Sequence, residues 1–119
     1  MARCVLHVSA VDGVEIRTDR AIPAALLVNE LVTNAAKYAY PDGNCRVWIT
    51  LSREPNDMLV ISVRDEGVGL PPTFDVNSGR RLGMRLVGAF SQQLQGNLEV
   101  RRKEPGSEFI LTFPLRSRS

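Results

Sequence analysis

The chain has 119 residues, 44% of them hydrophobic and 24% charged, proportions that place it among ordinary soluble globular proteins with one domain and a real core. Its net charge of +2 is too small to imply nucleic-acid binding, and the basic clusters Arg101-Arg102-Lys103 and Arg116, Arg118 read as solvated ends. No apolar run approaches the roughly 20 residues that span a bilayer, and the first eight residues lack a secretory apolar stretch, so a cytoplasmic chain without membrane insertion is expected. Cys4 and Cys45 have no Cys-x-x-Cys spacing and suggest neither a zinc site nor a disulfide framework; both read as small, buried or half-buried side chains. His7 is the sole histidine, which excludes any metal site or triad needing two.

Cys4, Leu6, Val8 and Ala10 alternate with Val5, His7, Ser9 and Val11, and the period of two resumes after Asp12-Gly13 at Val14 and Ile16, which predicts two strands joined by a turn. His7 falls on the face opposite Leu6 and Val8, a surface or edge position. Thr18-Asp19 offers capping side chains and Pro23 suits a first helical turn, so a helix is expected from about residue 21 to about residue 39, where Tyr40-Pro41-Asp42-Gly43-Asn44 stops it. Val47, Ile49 and Leu51, then Leu59 to Asp65, form a hairpin about Glu54-Pro55-Asn56-Asp57. Glu66 to Arg80 holds Gly67, Gly69, Pro71, Pro72 and Gly79 with little periodicity; loops of roughly 15 residues are uncommon in compact domains unless they are lids or binding loops. Leu82, Leu86, Val87, Phe90 and Leu94 recur at helical spacing with Gly96 as the stop, and Leu98, Val100, Phe109, Leu111 and Phe113 give two closing strands about Lys103-Glu104-Pro105-Gly106. The expected fold is α+β: a two-layer sandwich whose mixed, mainly antiparallel sheet carries helices on one face, with the ligand between helix and sheet. Residues 1–114 read as the domain and 115–119 as a tail.

Three constellations carry chemistry. At about 100° per residue, Glu30, Asn34 and Lys37 fall within an arc of roughly 60°, beside the core-facing Leu27, Val28, Leu31, Val32 and Ala35. A carboxylate, a neutral oxygen ligand and an ammonium on one edge suit a magnesium-bound polyphosphate; a Glu/Lys pair on a solvated face is the plainer reading. On the last hairpin strand, Leu59, Ile61, Val63 and Asp65 share a face by parity, so a carboxylate reaches the buried end of an apolar stripe and needs a donor. A purine amino group or an arginine of the protein would serve, and Gly67 and Gly69 just beyond allow the backbone to pass close to a planar ring. Gly83 opens the following helix with Arg80 and Arg81 before it, an arrangement for an anion or for a capped, solvated helix start.

Asn29-Glu30-Leu31-Val32-Thr33-Asn34-Ala35-Ala36-Lys37-Tyr38-Ala39 resembles the N box, Asp65-Glu66-Gly67-Val68-Gly69-Leu70 the G1 box, and Leu82-Gly83-Met84-Arg85-Leu86-Val87 a reduced G2 box of the gyrase, Hsp90, histidine kinase and MutL ATPases. Within them the chain is similar to the catalytic ATP-binding (Bergerat-fold) domain of sensor histidine kinases, in the HWE and HisKA_2 branch. The resemblance runs from about residue 4 to Pro114. It implies ATP and Mg2+ as cofactors, with Asn34 binding the metal, Glu30 supporting the metal or a water, Lys37 meeting phosphate and Asp65 receiving the adenine amino group. Gly67 and Gly69 would shape the adenine pocket, Gly83 the phosphate end, with Arg80, Arg81 and Phe74 as candidate lid contacts and Ser107 near the adenine, where threonine is common in relatives. Tyr38 stands where many relatives carry histidine. The resemblance implies a protein histidine kinase whose acceptor histidine lies on a separate dimerisation domain, through which a response regulator is reached. An anti-sigma-factor-type serine protein kinase of the same superfamily is the alternative.

Overall fold

β-branched and other apolar residues in period two build a five-stranded sheet in the computed structural model, which describes residues 3–11, 13–69 and 82–116. The strands are β1 (Arg3–Ala10), β2 (Asn44–Glu54), β3 (Met58–Asp65), β4 (Asn97–Arg102) and β5 (Ser107–Pro114), in lateral order β1-β2-β3-β5-β4. β1 runs parallel to β2 and the other neighbours are antiparallel, so the sheet is mixed and mainly antiparallel as expected. Parallel pairing obliges the chain to return to its starting end between β1 and β2. Helix α1 (Thr18–Asn34), continued by one π-helical turn (Ala35–Ala39), makes that return.

Several expectations at the N-terminal end are corrected. Val14 and Ile16 form no strand: after Gly13, at φ +76°, they lie in an irregular connection and press against the core. β1 pairs with β2 instead, and the Val11 N–H extends that ladder to the Leu51 carbonyl at 3.2 Å. α1 begins three residues early, its first carbonyl being that of Arg17, which accepts from the N–H groups of Arg20 and Ala21 at 2.9 and 2.8 Å. No side chain caps it, and Pro23 sits in the helix interior, where its missing N–H forgoes a bond to the exposed Asp19 carbonyl. Cys4 and Cys45 are register partners joined by a disulfide, where unlinked thiols were expected; their burial is as expected, Cys45 buried and Cys4 half-buried.

The core lies between the helices and one face of the sheet. α1 contributes Ala24, Leu27 and Leu31, the sheet Val47, Leu59, Ile61, Val63, Leu111 and Phe113, and helix α2 (Leu82–Gln93) with its following residue contributes Met84, Val87 and Leu94. α2 closes with a Schellman arrangement, Gly96 N–H to the Ser91 carbonyl at 2.9 Å and Gln95 N–H to the Gln92 carbonyl at 3.0 Å. Gln95 takes the left-handed φ of +55°, the role expected of Gly96. Gly96 is needed for space instead, since a Cβ there would lie 3.0 Å from Leu111 Cδ1 and 3.2 Å from the Thr112 carbonyl oxygen. Arg20 is buried at the start of α1, donates to the Leu94 carbonyl just past α2 and lies 5.7 Å from the centre of the Phe113 ring. A cation at a helix C-terminus meets the negative end of its dipole.

The outer face of the sheet carries His7, Trp48, Arg64 and Glu108 at successive register positions of β1, β2, β3 and β5. His7, exposed as expected, stacks on Trp48 at 5.3 Å, and the Arg64 guanidinium lies 4.4 Å from the Trp48 ring centre. Burial pushes the Glu108 carboxyl up, but the Ser62 hydroxyl, Lys103 at 3.4 Å and the nearby Arg101 outweigh it and hold the pKa below the usual glutamate value. A depressed folded pKa stabilises the fold in full above the unfolded value, and that contribution is lost as pH falls through the folded one. Urea unfolding of wild type and Glu108→Gln over a pH series should therefore show a stability gap that is constant near neutrality and shrinks in acid. A gap independent of pH would remove Glu108 from the acid limb.

Candidate functional site

Asp65 ends β3 beyond Leu59, Ile61 and Val63, and strand parity carries its carboxylate inward to 6% exposure. Its Oδ2 accepts from the Ser107 hydroxyl at 2.8 Å and its Oδ1 from the Gly67 N–H at 3.0 Å. Ser107, the register partner of Asp65 on β5, is itself buried. Among the described residues the donors that the sequence required are thus a hydroxyl and a backbone amide. An ionised carboxylate offers about four lone-pair sites, so this one keeps capacity for a further donor.

The chain leaves β3 through Glu66, Gly67, Val68 and Gly69 and crosses the end of the π turn. The Val68 N–H bonds the Ala39 carbonyl at 2.8 Å, and the Glu66 N–H bonds the Tyr40 hydroxyl at 2.7 Å. That hydroxyl donates onward to the Arg46 carbonyl at 2.6 Å. A Cβ on Gly67 would overlap the Ala39 carbonyl oxygen, and one on Gly106, at φ +96°, would overlap the Asp65 carbonyl. Two backbone crossings, one on each side of Asp65, therefore require glycine. Gly69, at φ +82°, packs beside Gly106. Tyr40 was read in the sequence only as part of a stop signal. Its role as a bridge depends on a hydroxyl reaching two non-local backbone groups, and no spacing announces that.

Glu30 and Asn34 are half-buried one turn apart on α1. Asn34 Nδ2 donates to Met84 Sδ at 3.2 Å, which ties α1 to the start of α2 directly after Gly83 and leaves the amide oxygen as the acceptor end of the side chain. A carboxylate and an amide oxygen are the hard donors Mg2+ takes, and this ion completes its shell from water and phosphate rather than from an all-protein cage. Among the described residues no three His, Cys, Asp or Glu side chains gather as such a cage. The donor set accordingly fits a metal that arrives with a polyphosphate.

Lys37 departs from the predicted arc. From Ala35 the helix is π, with i to i+5 bonding and fewer degrees per residue, so Lys37 lags behind Glu30 and Asn34, and it is exposed. π turns of this kind occur mostly as single turns within α-helices, frequently at functional sites. Arg81, together with Arg80 and Phe74, lies outside the described residues, as does most of the expected lid.

A cavity of about 730 Å3 lies at the opposite end of β3, lined by Gly13, Arg17, Arg53, Asp57, Leu115 and Arg116. Two of its charge pairs are matched, Arg17 with Asp19 and Arg53 with Asp57, and the Leu115 N–H is bonded to the Asp57 carbonyl at 2.8 Å.

A family model described as histidine kinase-, DNA gyrase B-, and HSP90-like ATPase matches residues 19–117. The chain belongs to this ATPase family. It is 31% identical over 101 residues to the sensor histidine kinase PdtaS of Mycobacterium tuberculosis, covering 82% of this chain and 20% of that protein. With the blue-light-activated histidine kinase 2 of Erythrobacter litoralis it shares 31% over 105 residues, 87% of this chain and 30% of that protein. The solved Erythrobacter litoralis EL346 blue-light activated histidine kinase superposes with a TM-score of 0.84 at 32% identity, covering 94% of this chain and 35% of that one. The fold and the family expected from the N and G1 boxes are those found: a histidine-kinase-type ATP-binding domain, spanning about a fifth to a third of the curated relatives it matches. Among the described residues no helix is long and apolar enough to cross a membrane.

The glycine geometry separates two substitutions of equal chemistry. Gly106→Ala should lower unfolding stability by about 2 kcal/mol or more through backbone strain and overlap. Gly88→Ala, in α2 with open space around the added methyl, should raise it by roughly 0.5–1 kcal/mol. Equal effects in denaturant titrations would contradict the close crossing at Asp65.

Proposed function

We propose that this domain binds Mg-ATP and donates the γ-phosphate to a histidine on a separate dimerisation domain, as part of a cytoplasmic two-component system whose response regulator is reached through that domain. The observation that carries the reading is the buried Asp65 carboxylate, already oriented by Ser107 and Gly67 and with capacity for one more donor. An adenine amino group supplies that donor. Gly67 and Gly69 bound the ring edge, and Ser107 fixes the carboxylate.

Asn34 would hold Mg2+ through its amide oxygen, with Glu30 one turn away supporting the metal or a water. Bound there, the ion offsets charge on the phosphate oxygens. Lys37, exposed at the π turn, is long enough to meet phosphate from the rim, and Gly83 at the start of α2 permits close approach of the phosphate end, with Arg81 before it. Phosphoryl transfer asks little covalent chemistry of the protein, so positioning and charge compensation by these residues are the contribution to expect. A histidine acceptor is nucleophilic without a strong base, which leaves Glu30 free for the metal side. His7 is not the acceptor in this reading, because it is stacked on Trp48 within the sheet. The relatives reported above are histidine kinases, and no observation favours the serine-kinase alternative.

Calorimetric titration with Mg-ATP should give binding that weakens about tenfold or more in Asp65→Asn, a loss of about 1.4 kcal/mol or more. Supplied with a histidine-bearing dimerisation domain and labelled ATP, the wild type should form an acid-labile phosphoprotein. Absence of binding heat sinks the reading, and an acid-stable phosphoserine would move it to the alternative.

A further inference from the structure

β1 is an edge strand paired by β2 on one side, and its side chains add little to hold it: every residue from Val5 to Val11 is exposed, with Leu6 at 48% and Val8 at 64%. A strand secured mainly by backbone pairing belongs to the low end of local stability. At its start, Cys4 and Cys45 face one another in register with Cα atoms 4.4 Å apart, Cys4 half-buried and Cys45, on β2, buried. Joining them encloses the whole segment that carries Glu30, Asn34 and Lys37.

Cys45 is also covalently next to a bridge into the site. The Arg46 carbonyl accepts from the Tyr40 hydroxyl, and that hydroxyl accepts from the N–H of Glu66, the neighbour of Asp65. Displacement of the Cys45–Arg46 backbone therefore bears on Tyr40 and, through it, on the strand end that presents Asp65.

We propose that Cys4 and Cys45 form a thiol–disulfide switch: oxidation staples β1 to β2 and holds the Tyr40 bridge in place, whereas reduction frees β1 and loosens the exit of β3. The electron acceptor is a small-molecule disulfide of the glutathione class. The thiolate of the more accessible Cys4 attacks it, forming a mixed disulfide and expelling one small thiolate. The Cys45 thiolate then attacks the Cys4 sulfur, closing the protein bond and expelling the second. Two electrons pass from the cysteines to the reagent, and the two protons they give up end on the released thiols. In a reducing compartment a pair of this kind is oxidised transiently and serves sensing. The consequence for nucleotide rests on the function proposed above; the thiol chemistry and the release of β1 do not.

The test compares wild-type protein equilibrated with oxidised or with reduced glutathione. Intact mass should show loss of two hydrogens without a glutathione adduct in the oxidised sample. Amide exchange across β1 and at Glu66 should slow about tenfold or more on oxidation. A non-hydrolysable Mg-ATP analogue should bind the oxidised form about fivefold or more tightly than the reduced form. Both differences should vanish in Cys4→Ser and in Cys4→Ala, changes at the half-buried partner. An unchanged mass, or equal exchange of β1 in the two states, overturns the switch, and equal analogue affinities overturn its coupling to the site. If neither state binds the analogue while their exchange differs, the nucleotide reading fails and the switch stands.

Discussion

A buried carboxylate must be given donors by the protein or by a ligand, and the arrangement around Asp65 is organised by that requirement. Leaving such a group unsatisfied costs about 1–3 kcal/mol for a neutral atom and more for a charge, comparable with a large part of the stability of a domain this size. Ser107 on β5 and the Gly67 amide beyond β3 meet it from two sides. For both to reach, the β4–β5 connection must close over the backbone of Asp65, and the β3 exit must close over the π turn, which is why Gly106 and Gly67 have no room for a side chain. The acid, the two glycines and the end of the π turn are thus one geometric unit.

The helical layer brings the second half of the site to that unit. α1 and α2 are joined at both ends, by Arg20 on the Leu94 carbonyl and by Asn34 on Met84. Two ties at opposite ends fix the antiparallel pair against sliding, so Asn34 is held beside the start of α2, and the other end of the N box meets the strand end that carries Asp65 through Tyr40 and Ala39. Metal ligand, phosphate end and adenine acid would then be set by the contacts between two helices and one strand exit, with little freedom left to the side chains themselves.

Where structure follows from a period or a local turn, the sequence is a good guide. The inward parity of Leu59 to Asp65, the two hairpins and the apolar stripe of α2 are all local patterns, and each is observed. The N-terminal strand pair misled because alternation at Val14 and Ile16 says nothing of which segment pairs with β1, and its parallel partner lies some forty residues on. The Cys4–Cys45 bond has the same origin, since adjacency in register is set by that distant pairing. The π turn is illegible for another reason: its phase change falls on a few residues, too short to disturb the periodicity of the longer helix, yet enough to move Lys37 out of the arc with Glu30 and Asn34. Motif spacing therefore reached the family and the candidate residues, while the bridge through Tyr40 emerged only from the fold.

The most direct test of a purine seated on Asp65 is residue-resolved amide NMR of the domain titrated with Mg-ATP. The account predicts the largest shift changes at the amides of Gly67, Val68 and Ser107, with the Asn34 side-chain amide moving as well. Shifts concentrated around Gly13, Arg53 and Asp57, at the other end of β3, with the surroundings of Asp65 unmoved, would contradict it.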